Sequence, residues 1–111
     1  MDIKTDEYSV WTEGSDIYFS GVMHLEKEST AQITSLVRAV LNSGTPAITV
    51  HLSDLEFLNS QGKNILAKWV IEARNHPEVR LVFRGNSNIA WQTRSLPVLK
   101  KLHPGLLLVM D

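Results

Sequence analysis

The stretch Ile48–Gly62, ITVHLSDLEFLNSQG, predicts a buried strand that passes almost directly into a helix. Apolar and polar side chains alternate in its first part, so a strand is expected over residues 47–52. The apolar residues that follow should carry the chain over the end of a sheet. Asn59 or Ser60 can cap the next helix with a side-chain oxygen, and Gly62 adds little bulk to its first turn. A strand followed by a helix is the building unit of α/β folds.

The residues before this stretch predict a hairpin and a first helix. Alternation through residues 8–23 is interrupted at Gly14-Ser15, which is typical of a hairpin turn. The polar run 24–30 is expected to be a loop, with Thr30 as the cap of the helix that follows. Gly44 and Pro46 should end this helix. Its apolar positions recur with helical spacing and form a single stripe: Ile33, Leu36, Val37, Val40 and Leu41.

The residues after it predict two more helix-strand units. A second helix should reach about Arg74, and a strand follows near residues 79–83. A third helix over residues 89–102 is expected to be kinked or restarted near Pro97, before a short strand at residues 106–110. The order β-β-α-β-α-β-α-β predicts an α/β fold in which a leading hairpin precedes alternating helices and strands. The sheet should be mixed and mostly parallel with helices packed on it, in a single domain over residues 1–111.

Composition narrows the functional classes. The chain has 111 residues, of which 43% are hydrophobic and 21% charged, and its net charge of −1 predicts no general binding to nucleic acid. It contains no cysteine, which excludes disulfides, thiolate metal sites and a cysteine nucleophile. An export signal and an apolar run long enough to span a bilayer are not visible, so a cytoplasmic location is expected. Charge is uneven: residues 1–58 carry −6 and residues 59–111 carry +5.

The turn into the second helix is the first candidate site. Ser60 would present its hydroxyl at a helix N-terminus, where the helix dipole and free N–H groups favour a phosphate. Lys63, one turn further on, could add positive charge. The alternative is that these residues only start the helix.

Two other clusters carry a weaker indication of function. The loop Arg84–Asn88 is typical of ordinary loop and capping residues. Trp91, followed by Arg94, is either an exposed contact for a partner or a core residue.

The four histidines lack the spacing of a metal site, so no metal is expected. A triad of Ser60, His51 and Asp54 lacks the Gly-x-Ser-x-Gly elbow, so no catalytic residue is assigned.

The Ile48–Gly62 stretch resembles the centre of the STAS family, the sulfate-transporter and anti-sigma-factor-antagonist domain. That family has a hydrophobic strand, an aspartate-leucine pair, a short apolar bridge and then Asp-Ser-Ser-Gly opening a helix. The stretch Ile17–His24, IYFSGVMH, is similar to the family's segment of a strand followed by Gly, x, Leu and Asp. The order of elements also agrees, so the resemblance spans nearly the whole chain. It implies a STAS-like fold and reversible binding of a regulatory protein, often a serine kinase.

Departures from the family pattern fall at the site itself. Asn59 stands where the family usually has aspartate, whereas Ser60 matches the first serine. Gln61 occupies the position of the serine that is phosphorylated in the anti-sigma-factor antagonists. Since glutamine cannot accept a phosphate, the switch is either absent or moved to Ser60, the candidate phosphorylation site. His24 and His51 also stand at positions that are commonly aspartate.

The leading hypothesis is therefore a non-enzymatic regulatory module that binds a serine kinase, an anti-sigma factor or a sensor protein. Cofactors, nucleic acid and membranes are not expected as partners. Two alternatives remain: a domain that binds a nucleotide or other small ligand at the strand ends, and a homodimer that joins its acidic and basic halves. The residues expected to contact the partner are Asn59, Ser60, Gln61, Gly62, Lys63, Trp91 and Arg94.

Overall fold

The computed structural model describes residues 2–111. Its elements follow the predicted order, with one additional short strand, β1, at the start. The strands are β1 (Asp2–Lys4), β2 (Tyr8–Glu13), β3 (Asp16–Met23), β4 (Ala47–Leu58), β5 (Arg80–Gly85) and β6 (Leu107–Met110). The helices are α1 (Lys27–Leu41), α2 (Ser60–Ala73) and α3 (Ala90–Leu102).

The six strands form one mixed sheet in the order β1-β2-β3-β4-β5-β6. Strands β1 to β3 pair antiparallel, whereas β3 to β6 pair parallel. Each parallel pair is joined through a helix, and right-handed crossovers between neighbouring strands put all three helices on the same side. The predicted fold class, a mixed α/β sheet with a leading hairpin, is confirmed.

The two faces of the sheet differ in burial because only one of them is covered by helices. Side chains on the covered face, such as Val50 and Phe83, are fully buried in the core cluster. The opposite side chains on the same strands stay half-buried or exposed. We call this second surface the open face; its residues include Trp11, Glu13, Asp16, Tyr18, Thr49, His51, Arg80, Val82, Arg84, Leu107 and Val109.

Strand β4 is longer than predicted, because it runs on to Leu58 instead of ending at Leu52. Its pairing with β3 shifts register twice, and β5 pairs only with residues 47–51. Beyond that point the first turn of α3 takes the place of a neighbouring strand. Gln92 Nε2 donates to the carbonyls of Leu52 (2.6 Å) and Leu55 (3.0 Å), and Trp91 Nε1 also donates to Leu55 O (3.0 Å).

The start of α1 and the continuity of α3 differ from the sequence predictions. Helix α1 begins at Lys27 with Glu26 as its N-cap, so Thr30 lies inside the helix and donates its hydroxyl to Glu26 O at 2.7 Å. Helix α3 runs without a restart through Pro97. Gly44 adopts a left-handed conformation (φ 83°) after α1, as expected.

Among the described residues, no helix is long and apolar enough to cross a membrane.

Candidate functional site

Asn59 joins three segments at the carboxyl ends of β3 and β4. Its side-chain oxygen accepts a hydrogen bond from the Gly62 N–H (3.1 Å), which identifies Asn59 rather than Ser60 as the cap of α2. Its side-chain amide donates to Leu25 O (3.1 Å), and its backbone N–H donates to Met23 O (3.1 Å). One residue therefore fixes the start of α2 against the loop that follows β3.

Ser60 and Gln61 lie on the exposed side of this corner. The N–H groups of the two following residues are already used inside the helix, since Gly62 donates to the Asn59 side chain and Lys63 to Asn59 O (3.0 Å). The Ser60 hydroxyl thus stands in solvent at the positive end of a 14-residue helix. This geometry can accommodate added negative charge.

Gly62 is buried, so it supports the site and does not present a surface to a partner. A Cβ atom at this position would lie 2.2 Å from Leu58 Cδ1, a core side chain at the end of β4. The glycine lets the first turn of α2 pack closely on the strand that leads into it. Lys63 is half-buried, and Asn59 is also partly covered.

Sequence reasoning missed an exposed aromatic residue beside Ser60. Phe57 is 41% exposed, and its ring packs against His24 with the ring centroids 4.7 Å apart. The signal was the apolar run before the helix, in which Leu58 points into the core and its neighbour must point outward. We call the group His24, Phe57, Ser60 and Gln61 the rim surface.

Trp91 does not belong to this surface. It is only 9% exposed, and its indole N–H is used by Leu55 O. The structure corrects the alternative in which Trp91 is an exposed partner contact, because the ring is buried and its N–H donates to the backbone of β4. Arg94, one turn further along α3, is exposed.

A catalytic triad is not assembled. His51 stacks on Tyr18 on the open face, and its Nε2 lies 3.7 Å from Asp16 Oδ2. The strand continues from His51 to Leu58 before α2 begins, and at about 3.3 Å per residue this puts Ser60 more than about 20 Å away. No group of three potential metal ligands converges within residues 2–111.

An open cavity of about 540 Å³ lies at the opposite end of the strands, near the amino ends of β4 and β5. Its lining includes Arg80, Glu78 and His103. Burial, followed by the positive charges of Arg74 and Lys100, lowers the pKa of His103. This cavity is separated from the rim surface by the length of β4, so it does not enlarge the candidate site.

Several solved structures share this fold, including the following three. A chain in the crystal structure of the diguanylate cyclase SiaD in complex with its activator SiaC, from Pseudomonas aeruginosa, matches with a TM-score of 0.74 and 13% identity, covering 99% of this chain and 97% of that chain. An anti-sigma factor antagonist from Mycobacterium paratuberculosis matches with a TM-score of 0.60 and 22% identity over 88% and 81% of the two chains. The phosphorylated form of the Bacillus cell fate determinant SpoIIAA gives 0.58 and 13%, over 94% and 92%.

These likenesses show that the chain has a STAS-like fold, as the sequence resemblance predicted. No family model matches the sequence, and no curated protein matches it either. The identities are low, so the comparisons support the fold, and the function has to be argued from the chain's own surface.

Proposed function

We propose that this chain is a non-enzymatic regulatory module that binds a protein partner through the rim surface and the adjoining exposed side of α2. The observation that carries the proposal is the anchoring of Asn59, which holds exposed residues in one fixed arrangement. A surface that is ordered before binding loses little conformational entropy when a partner docks. A cytoplasmic location is part of the proposal, and the absence of cysteine is compatible with it.

The chemistry of the rim surface suits a protein interface. Phe57 offers exposed aromatic area, and aromatic residues are enriched in the buried centre of interfaces. Ser60 and Gln61 add exposed neutral polar groups that can form hydrogen bonds with a partner. Along α2, Asn64 and Lys68 continue the exposed side.

The fold relatives support a partner that is itself regulatory. One of the matching structures is a complex between an enzyme and its activator, and another is an anti-sigma factor antagonist. Together with the STAS resemblance, they favour a serine kinase, an anti-sigma factor or a sensor protein as the partner class.

The proposal places a phosphorylation switch at Ser60. Its hydroxyl is exposed at the N-terminus of α2, where a phosphate of about −2 charge is electrostatically favoured. Gln61 cannot be phosphorylated, and Ser60 is the neighbouring hydroxyl. The solved structure of SpoIIAA, which shares the fold, is of the phosphorylated form. Phosphate at this corner would change the charge that the partner meets and leave the core unchanged.

Substitution at Ser60 tests this switch. Ser60→Asp and Ser60→Ala are expected to differ at least about fivefold in the dissociation constant for the partner, because only aspartate adds a negative charge. Both variants should unfold within about 0.5 kcal/mol of the wild type, since the side chain is exposed. Calorimetric titration and thermal unfolding measure the two quantities. Equal affinities of the two variants would eliminate the switch and leave the interface untouched.

Phe57→Asp tests the interface itself. Immobilised wild-type chain should capture the partner from an extract of the native cell, and the substitution should reduce its recovery at least about tenfold. Val98→Asp is the matched control, because Val98 is also exposed (52%) but lies on α3 away from the rim surface. Quantitative mass spectrometry compares the three samples. A partner that is retained equally by all three would contradict the proposed surface.

A further inference from the structure

The open face carries a ladder of stacked rings. Trp11, Tyr18 and His51 are lateral neighbours on β2, β3 and β4. The ring centroids of Trp11 and Tyr18 are 5.2 Å apart, and the ring planes are inclined by 7°. The centroids of Tyr18 and His51 are 4.2 Å apart, and their planes are inclined by 6°. The same row continues through Arg84 on β5 to Val109 on β6. One row thus changes from aromatic to basic and then to aliphatic.

The aromatic half of this face is acidic. Glu13 and Asp16 form the row next to Trp11 and Tyr18. Partial burial raises the pKa of Tyr18, and the two carboxylates raise it further. Anionic ligands such as the phosphates of a nucleic acid are therefore repelled from the rings that would otherwise stack on their bases.

The other half of the face is basic and aliphatic. Arg80 and Arg84 flank Val82 on β5, and β6 adds Leu107 and Val109, which are 45% and 40% exposed. The pair between Arg84 and Asp111 (3.5 Å) joins exposed groups, and such pairs contribute little. The two halves are therefore complementary in charge, and both offer apolar area.

We propose that the open face is the interface of a symmetric homodimer, in which two copies pack face to face about a two-fold axis that runs along β4. Rotation about this axis places β3 over β5 of the second copy and β2 over its β6. Because each row keeps its level, Tyr18 meets Arg84 of the second copy and Trp11 meets its Val109. Every contact between different residues occurs twice, and β4, which lies on the axis, meets β4 of the second copy, as a two-fold interface requires.

The carboxylates fit the same arrangement. Asp16 lies in one row with Thr49 and Val82, so it is placed over Val82 of the second copy, between Arg80 and Arg84. A two-fold axis perpendicular to the strands would instead place the acidic strand β3 over the same strand of the second copy, which is electrostatically unfavourable. Charge complementarity thus selects both the occupant and its orientation.

The size of the face sets the expected affinity. Six strands about 4.8 Å apart, each contributing about five residues at about 3.3 Å, give a planar area of about 400 Å². Standard interfaces bury about 800 Å² of accessible surface per partner, so a face of this footprint belongs to the small, weakly associating class, and we expect the wild type to dimerise below about 1 mM.

Charge reversal tests the interface and its register. In sedimentation equilibrium, the wild type should dimerise, whereas Arg84→Asp and Asp16→Arg should each raise the dissociation constant at least about tenfold. An equimolar mixture of the two variants should associate about as tightly as the wild type, because both intermolecular contacts then pair an aspartate with an arginine. Arg38→Asp is the control, because Arg38 is exposed on α1, away from the open face. It makes the same charge change as Arg84→Asp and should leave dimerisation unchanged.

Several outcomes would overturn the proposal. A wild type that stays monomeric at about 1 mM has no such interface. A mixture that associates no better than the separate variants would contradict the two-fold register, as would an equal effect of Arg38→Asp. Binding of a single-stranded oligonucleotide to a monomeric wild type would assign the rings to nucleic acid instead. Unfolding by circular dichroism confirms that each variant is folded before it is compared.

Discussion

Replacing Gln92 with leucine should lower the free energy of unfolding by about 3 kcal/mol, although the two side chains are similar in size. Gln92 is fully buried, and all its hydrogen-bonding groups are used. Its amide nitrogen donates to Leu52 O and Leu55 O, and its oxygen accepts from the Asn86 N–H at 2.7 Å. Leucine would leave the buried Leu52 carbonyl and the partly buried Asn86 N–H without these partners, and a buried group left unpaired costs about 1–3 kcal/mol.

Thermal and urea unfolding measure this loss, and the melting temperature should fall by about 13 °C for a domain of this size. Gln32→Leu is the matched control, because Gln32 is exposed on α1 and the same substitution there should change stability by less than about 0.5 kcal/mol. If the two variants were equally stable, Gln92 would not be the residue that replaces the missing strand beside β4.

Gln92 illustrates what the sequence could not reveal. Its position in α3 is compatible with an ordinary helix, and its role depends on β5 ending at a point where β4 continues. The same cause explains Trp91, whose indole is drawn inward by the carbonyl of Leu55. Both contacts join residues more than 30 positions apart, which local patterns do not report.

The features that could be predicted are those that depend on periodicity. Helix α2 was located from its apolar stripe, and β2 and β3 from alternation around Gly14. The turn at Asn59 could be predicted from its capping residues, since a capping side chain acts within three residues. The start of α1 differs from the prediction because Thr30 is a better capping residue by type than Glu26, whose side chain makes no capping hydrogen bond, so local sequence favours the wrong start.

The site and the open face also differ in how they could be detected. The rim surface follows from a local turn, whereas the ladder of rings needs the order and register of three strands. His51 lies 33 residues after Tyr18 and 40 residues after Trp11, so only the sheet brings the three rings together, since β4 lies beyond α1. The rim surface and the open face share no residue, so the two proposals can be tested separately.

The hairpin that supports the open face depends on Gly21, and Gly21→Ala should lower the free energy of unfolding by about 4 kcal/mol. Gly21 has a φ of 97°, which a side chain disfavours, and a Cβ there would lie 2.2 Å from the Glu7 carbonyl oxygen and 2.9 Å from Tyr8 Cα. These are backbone atoms. The Glu7 carbonyl is also held by the Val22 N–H at 2.9 Å, so it cannot move away without losing that bond.

Gly14→Ala separates the collision from the conformational strain. Gly14 also has a positive φ (60°), but a Cβ at this position would meet nothing within 4 Å, so its substitution should cost only about 1 kcal/mol. Chemical unfolding of the two variants, each against the wild type, gives the difference directly. Equal losses would mean that strain alone is at work and that the approach of residues 7–8 to β3 is not close. A much larger loss at Gly21 means that close packing at this glycine holds the start of β2, and with it Trp11 and Tyr18, in register.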